Sequence, residues 1–200
     1  MKYVCIGQPK TATKTMAKIF ELLNFKVNSN PLCLDEKDDF ILLDNNISYY
    51  TNDTILKCHN NIETFEAFHD YPYSFNYKYI NDNFPKSKFI LTIRNSDLWF
   101  NSLISYQYKK NCSNKNLLKK LYGYEIISLE NKETVISKYN EYNLNIIKYF
   151  HCQPDKLLII DLTNLTKHNN DNIKNKLEAF FKINIDFEIP HENKQVYNTD

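Results

Sequence analysis

The apolar run Tyr3–Ile6 stops at Gly7, one of only two glycines among 200 residues, and Met16, Ile19, Phe20 and Leu23 then recur at i, i+3, i+4 and i+7. That order of periods predicts a buried strand, a loop and an amphipathic helix at the very start of the chain. Lys88–Ile93 repeats the logic as a β-rich run, with Ser96 or Asp97 as the expected N-cap and Trp99, Leu103 and Tyr106 on one helical face. Tyr139, Asn143, Ile146 and Phe150 predict a helix from about Glu133 to His151, ahead of the apolar strand Leu157–Ile160. A last helix carries Ile173, Leu177, Phe180 and Phe181. Buried strands alternating with amphipathic helices give an α/β class: a mostly parallel sheet with helices on both faces, in one domain over residues 1–200. The stretch Asn28–His69 mixes short apolar runs with Asn and Asp clusters and is expected to hold the variable loops. The aromatics Tyr71, Tyr73, Phe75, Tyr77 and Tyr79 alternate at period two, yet are expected to lead into a helix ending near Asn83, either lining a pocket or packing between helix and sheet.

Composition excludes several classes. With 42% apolar and 24% charged residues the chain can bury a core and is not disordered. Lys and Arg number 25 against 24 Asp and Glu, so no global field favours nucleic acid or an anionic membrane, and any anion site must be local. Apolar stretches such as Phe40–Leu43 and Leu157–Ile160 fall far short of the ~18 to 20 residues of a spanning helix. The start lacks a secretory h-region, which predicts a cytoplasmic protein. Five scattered cysteines without a Cys-x-x-Cys pair predict free thiols and no zinc knuckle, and His151 and Cys152 have no companions at ligand spacing, so no metal is expected.

The loop Gly7-Gln-Pro-Lys-Thr-Ala-Thr-Lys-Thr sets Gln8, Pro9, Lys10, Thr11, Ala12, Thr13, Lys14 and Thr15 around a helix N-terminus. Backbone N–H groups, two lysines, three hydroxyls and the helix dipole together suit a phosphate or sulfate. The competing reading is an ordinary strand-to-helix turn with solvated lysines. Against the pattern Gly-x4-Gly-Lys-Ser/Thr the register fails, because Ala12, Thr13 and Lys14 fall on the glycine, lysine and hydroxyl positions.

Pro9, Lys10, Thr11 and Thr13 resemble the Pro-Lys-Thr-Gly-Thr-Thr loop of the sulfotransferase superfamily, with Ala12 in place of the glycine and Lys14 in place of a hydroxyl residue. The segment Phe84-Pro-Lys-Ser-Lys-Phe-Ile-Leu-Thr-Ile-Arg-Asn, with Trp99 and Ser102, is similar to the family's 3′-phosphate segment. The likeness continues through Asp70-Tyr-Pro and Tyr139 to Asn143, and ends at Ile189-Pro-His-Glu-Asn-Lys. It implies a P-loop-like three-layer sandwich that uses 3′-phosphoadenosine 5′-phosphosulfate (PAPS), releases 3′-phosphoadenosine 5′-phosphate (PAP), and sulfates a small-molecule or glycan acceptor. By the same resemblance Arg94 and Ser102 hold the 3′-phosphate, with Lys194 on a closing loop nearby. An arginine fork at a strand end and a hydroxyl eight residues on can converge on one phosphate.

Sulfuryl transfer needs a fixed donor, charge stabilisation on the leaving oxygen and a base. Lys10 is the candidate for the second. Asp70, His69 and His59 are candidates for the third: Asp70, the preferred one, aligns with a family acidic position, and His59 follows the apolar run Ile55–Cys58. Two rivals stand beside this reading. A nucleotide or nucleoside kinase is disfavoured by the missing Gly-Lys-Ser/Thr and by Asp161 being the lone acidic candidate at a strand end; a non-catalytic PAP-binding protein is suggested by the departures at Ala12 and Lys14. The acceptor and the oligomeric state are not legible.

Overall fold

The computed structural model describes residues 1–28, 60–110 and 115–190. In chain order these form β1 (Tyr3–Cys5), α1 (Thr13–Leu22), β2 (Val27–Asn28), α2 (described from 60 to 64), β3 (Ala67–Phe68) and α3 (Tyr77–Asn83). Then come β4 (Lys88–Thr92), α4 (Ser96–Lys110), α5 (Lys115–Tyr122), α6 (Lys132–Tyr149), β5 (Leu157–Ile160) and α7 (Lys167–Phe181). The five strands make one sheet in the order β2-β3-β1-β4-β5, with every pair parallel. An all-parallel sheet needs both faces covered, because each crossover lays a helix on one of them.

Strand alternation sorts the core into two layers. Tyr3, Cys5, Ala67 and Ile90 face Met16, Ile19 and Phe20 of α1 and Ile173, Leu177 and Phe181 of α7. Val4, Ile6, Phe68, Phe89 and Leu91 face Tyr77 and Ile80 of α3 and Ile146 and Phe150 around the end of α6. The sheet therefore lies between two helical layers, as the strand–helix alternation predicts. A third cluster joins Trp99, Phe100 and Leu103 of α4 to Leu118 and Tyr122 of α5 and Val135 and Tyr139 of α6.

The chain runs from β1 outward to β2, returns to β3 beside β1, and crosses to β4 on the other flank of β1. The order reverses around β1, so the segments leaving β3, β1 and β4 open side by side at the strands' C-terminal ends, where ligands bind in open α/β sheets.

Two local expectations change, and the aromatic run follows one of its two expected readings. The cap of α4 is neither Ser96 nor Asp97 but Asn95, whose Oδ1 accepts the backbone N–H groups of Asp97 (3.1 Å) and Leu98 (3.2 Å). The stretch Asn28–His69 is not only loop, since β2 closes at its start and β3 lies near its end, while 29–59 lie outside the described residues. The alternating tyrosines form a 3-10 turn (Tyr73–Phe75) and then α3, and Tyr73 and Tyr77 are core side chains between helix and sheet, which favours packing over a pocket.

Candidate functional site

Gly7 lies where the loop crosses the end of β4. A Cβ there would sit 2.6 Å from the Thr92 carbonyl oxygen and 2.6 Å from Thr11 Oγ1, so glycine is required by closeness of approach. Thr11 Oγ1 donates to Gln8 O (2.7 Å) and shares a hydrogen bond with Thr92 Oγ1 (2.7 Å), which pins the loop to the sheet. Gln8 is buried and its Oε1 accepts the Tyr122 hydroxyl (2.7 Å), while Pro9 O accepts Trp99 Nε1–H (2.9 Å). Of the expected ligand hydroxyls, Thr11 thus faces inward, Thr15 is fully buried, and Thr13 hydrogen-bonds the Asp70 carboxylate. Thr11 and Thr13 brace the loop through their hydroxyls.

The bend is made by two residues in the left-handed region, Lys10 (φ 75°) and Ala12 (φ 68°, ψ 34°). Ala12 stands as the N-cap of α1, where no side chain caps the helix and no acidic residue occupies the first turn. The first-turn N–H groups of a helix have no intrahelical partner and carry the positive end of the dipole, so the start of α1 presents backbone donors and partial positive charge.

Beside the loop, Arg94 follows β4. Its Nη1 lies 3.4 Å from Lys10 O, and its Nε is buried without a hydrogen-bond partner among the described residues. Its backbone is held by one phenol: Tyr139 Oη accepts Arg94 N–H (2.9 Å) and donates to Arg94 O (3.0 Å). Burial raises the Tyr139 hydroxyl's pKa, so it stays neutral and can do both. The Tyr139 ring stacks on Trp99 at 4.1 Å with 15° between planes. Ser102, buried, lies on α4 one turn from Trp99, which holds Pro9, and one turn from Tyr106, whose ring carries Lys10 Nζ 4.5 Å from its centroid. Residues three and four apart share a helix face, so Ser102 belongs to the face of α4 that meets the loop.

At the end of β3, His69 Nδ1 lies 3.1 Å from Asp70 Oδ2. Burial pushes the Asp70 carboxyl up, but hydrogen bonds from His69 and Thr13 and the nearby charges of His69 and Lys14 outweigh it and hold the group below the usual carboxylate range. With Asp70 ionised, a proton on His69 Nδ1 is directed at Asp70 Oδ2. His59 and Lys194 lie outside the described residues. The loop, Arg94, Ser102, His69 and Asp70 come together at the sheet's C-terminal edge. Tyr122 and Thr92 were not legible as site residues: their partners in the loop are 114 and 81 residues away in sequence. No group of three His, Cys, Asp or Glu suited to a metal occurs among the described residues, and no described helix is long and apolar enough to cross a membrane.

A family model described as a sulfotransferase domain matches residues 2–164, which takes in the loop, β4, the Trp99–Tyr139 stack and β5. No curated protein matches the chain.

Proposed function

The chain belongs to the sulfotransferase domain family, and from that premise we propose that it moves a sulfuryl group from PAPS to a hydroxyl or amine acceptor. The observation that carries this reading is that two groups suited to anions lie side by side, with Arg94 Nη1 3.4 Å from Lys10 O of the loop. One is the uncapped start of α1 with Lys10 and Lys14; the other is Arg94, whose buried Nε has no partner among the described residues. A ligand with one anionic group fills one grip, whereas PAPS brings a phosphosulfate to the loop and a 3′-phosphate to Arg94 and Ser102.

In this reading Lys10 neutralises the charge that develops on the phosphate oxygen as the S–O bond breaks. Its neighbour Tyr106 keeps the ammonium over the loop by a cation–π contact. His69, oriented through Nδ1 by the Asp70 carboxylate, takes the acceptor's proton at Nε2. The pair replaces Asp70 alone as the base, because the carboxylate is committed to His69 and Thr13.

Thermal shift with PAP, AMP and magnesium-ATP tests the donor assignment without knowledge of the acceptor. A ligand at 100 times its dissociation constant adds about 2.7 kcal/mol of stability. PAP is expected to stabilise most; a larger shift with magnesium-ATP would favour phosphoryl transfer. Tight PAP binding with no transfer across a broad acceptor panel would favour a binding protein.

A further inference from the structure

Arg94 occupies a gap in the regular structure. The β4–β5 ladder continues past Thr92 only as far as Ile93, whose N–H bonds Ile160 O (2.9 Å), and α4 starts at Ser96 behind its Asn95 cap. Neither ladder nor helix supplies partners for Arg94 N–H and C=O. Buried or half-buried backbone groups need partners, and here a single side chain replaces both. Tyr139 Oη closes a two-way contact with one residue, 45 positions away in sequence. Asn143, one turn along α6, also hydrogen-bonds this hydroxyl. The Tyr139 ring lies flat on Trp99, whose Nε1–H holds Pro9 O, so the stack also fixes the phenol relative to the loop.

We propose that Tyr139 is a positioning residue that sets selectivity for a 3′-phosphorylated nucleotide, acting through the backbone of Arg94. The inference rests on the PAPS reading for the identity of the anion that Arg94 meets. The guanidinium is a planar fork whose hydrogen bonds depend on angle, and a fork on an unanchored backbone loses its aim. The phenol is the anchor. It need not touch the nucleotide, and the 5′-phosphate grip, built from the loop and α1, does not depend on its hydroxyl.

The ratio of the dissociation constants of AMP and PAP, measured by titration calorimetry, isolates what the 3′-phosphate contributes. Tyr139→Phe keeps the ring on Trp99 and removes the hydroxyl; the ratio is expected to fall about tenfold, with AMP affinity changed by less than about twofold. Simple loss of stability would not move the ratio, since both ligands see the same folded fraction. Should Tyr139→Phe fail to fold, Asn143→Ala, which frees the phenol on one side, is expected to lower the ratio about threefold. A large wild-type ratio left unchanged in the folded variant overturns the proposal alone. A wild-type ratio near one overturns the PAPS reading and this inference with it.

Discussion

Thr11 Oγ1 and Thr92 Oγ1 lie 2.7 Å apart, joining the loop between β1 and α1 to the last residue of β4 across 81 positions of sequence. Both residues are fully buried, and Thr92 Oγ1 is also 3.8 Å from Cys5 Sγ on β1. The contact ties the loop's curvature to the register of β1 against β4, in which Cys5 pairs with Ile90. Gly7 passes directly over it, so the backbone at the strand end has no freedom to carry a side chain.

Gly7→Ala should therefore destabilise the fold. The added methyl meets the Thr92 carbonyl, which belongs to the sheet and cannot swing aside, as well as Thr11 Oγ1. Overpacking of this kind costs typically about 1 to 3 kcal/mol. Chemical denaturation should show a lower midpoint and, because the loop must move, weaker PAP binding. A variant with wild-type stability would mean that the loop yields freely.

Ala12→Gly should act in the opposite direction. Alanine at φ 68° is in the left-handed region, which disfavours an L-residue by about 1 to 2 kcal/mol; glycine removes that strain and loses part of the gain to unfolded-state entropy. The expected net effect is about 0.5 to 1 kcal/mol of stabilisation with PAP affinity retained. Urea titration measures it, and a loss of stability would show that the methyl packs usefully against the core cluster it borders.

Period and run length made the sandwich legible, because β1, β4 and β5 are apolar runs and α1, α6 and α7 have clear apolar faces. They could not reveal β2 and β3. These pair over two residues each, too few to show a period, and Asn28 in β2 is a buried polar residue satisfied by Tyr73 Oη at 2.8 Å. The N-cap was ambiguous because Asn95, Ser96 and Asp97 are all good caps in succession, and only the position of the first turn chooses among them. In the site, the loop and Arg94 carry local motifs. Tyr122, Tyr139 and Tyr142 act instead through hydroxyls on distant backbone or side-chain atoms, as Tyr142 Oη does with Ile6 O (2.8 Å) and Ser74 O (2.7 Å). Nothing in the sequence neighbourhoods of Tyr122 and Tyr142 distinguishes them from core tyrosines, and Tyr139 stands out only through the family likeness of Tyr139 to Asn143.

Acid should erode the contribution of Asp70. Its folded value is below its unfolded one, ~3.9, so the stabilisation is present above that value and is lost as pH falls through the lower folded value. Asp70→Asn removes this dependence. The stability gap between wild type and variant should narrow as pH is lowered from about 5 to about 2. A gap that stays constant over that window would mean that the carboxylate's charge adds nothing beyond its shape.

The catalytic assignments separate when binding and turnover are read on the same variants. His69→Ala should leave PAP affinity nearly intact and reduce transfer by ~10²-fold or more, the scale for losing a positioned base. Asp70→Asn keeps the shape but withdraws the negative charge that orients and stabilises the ring when it takes a proton, so its rate should fall as well, with PAP affinity little changed. Lys10→Ala should impair both quantities, since in the proposed transfer the same ammonium holds the ground-state phosphosulfate and meets the greater charge of the leaving phosphate. An interaction that strengthens in the transition state lowers the rate beyond its effect on binding. Full activity in His69→Ala beside a dead Asp70→Asn would return the base to the carboxylate. Full activity in both would move it to His59, while the donor grips, resting on the α1 terminus and Arg94, would stand.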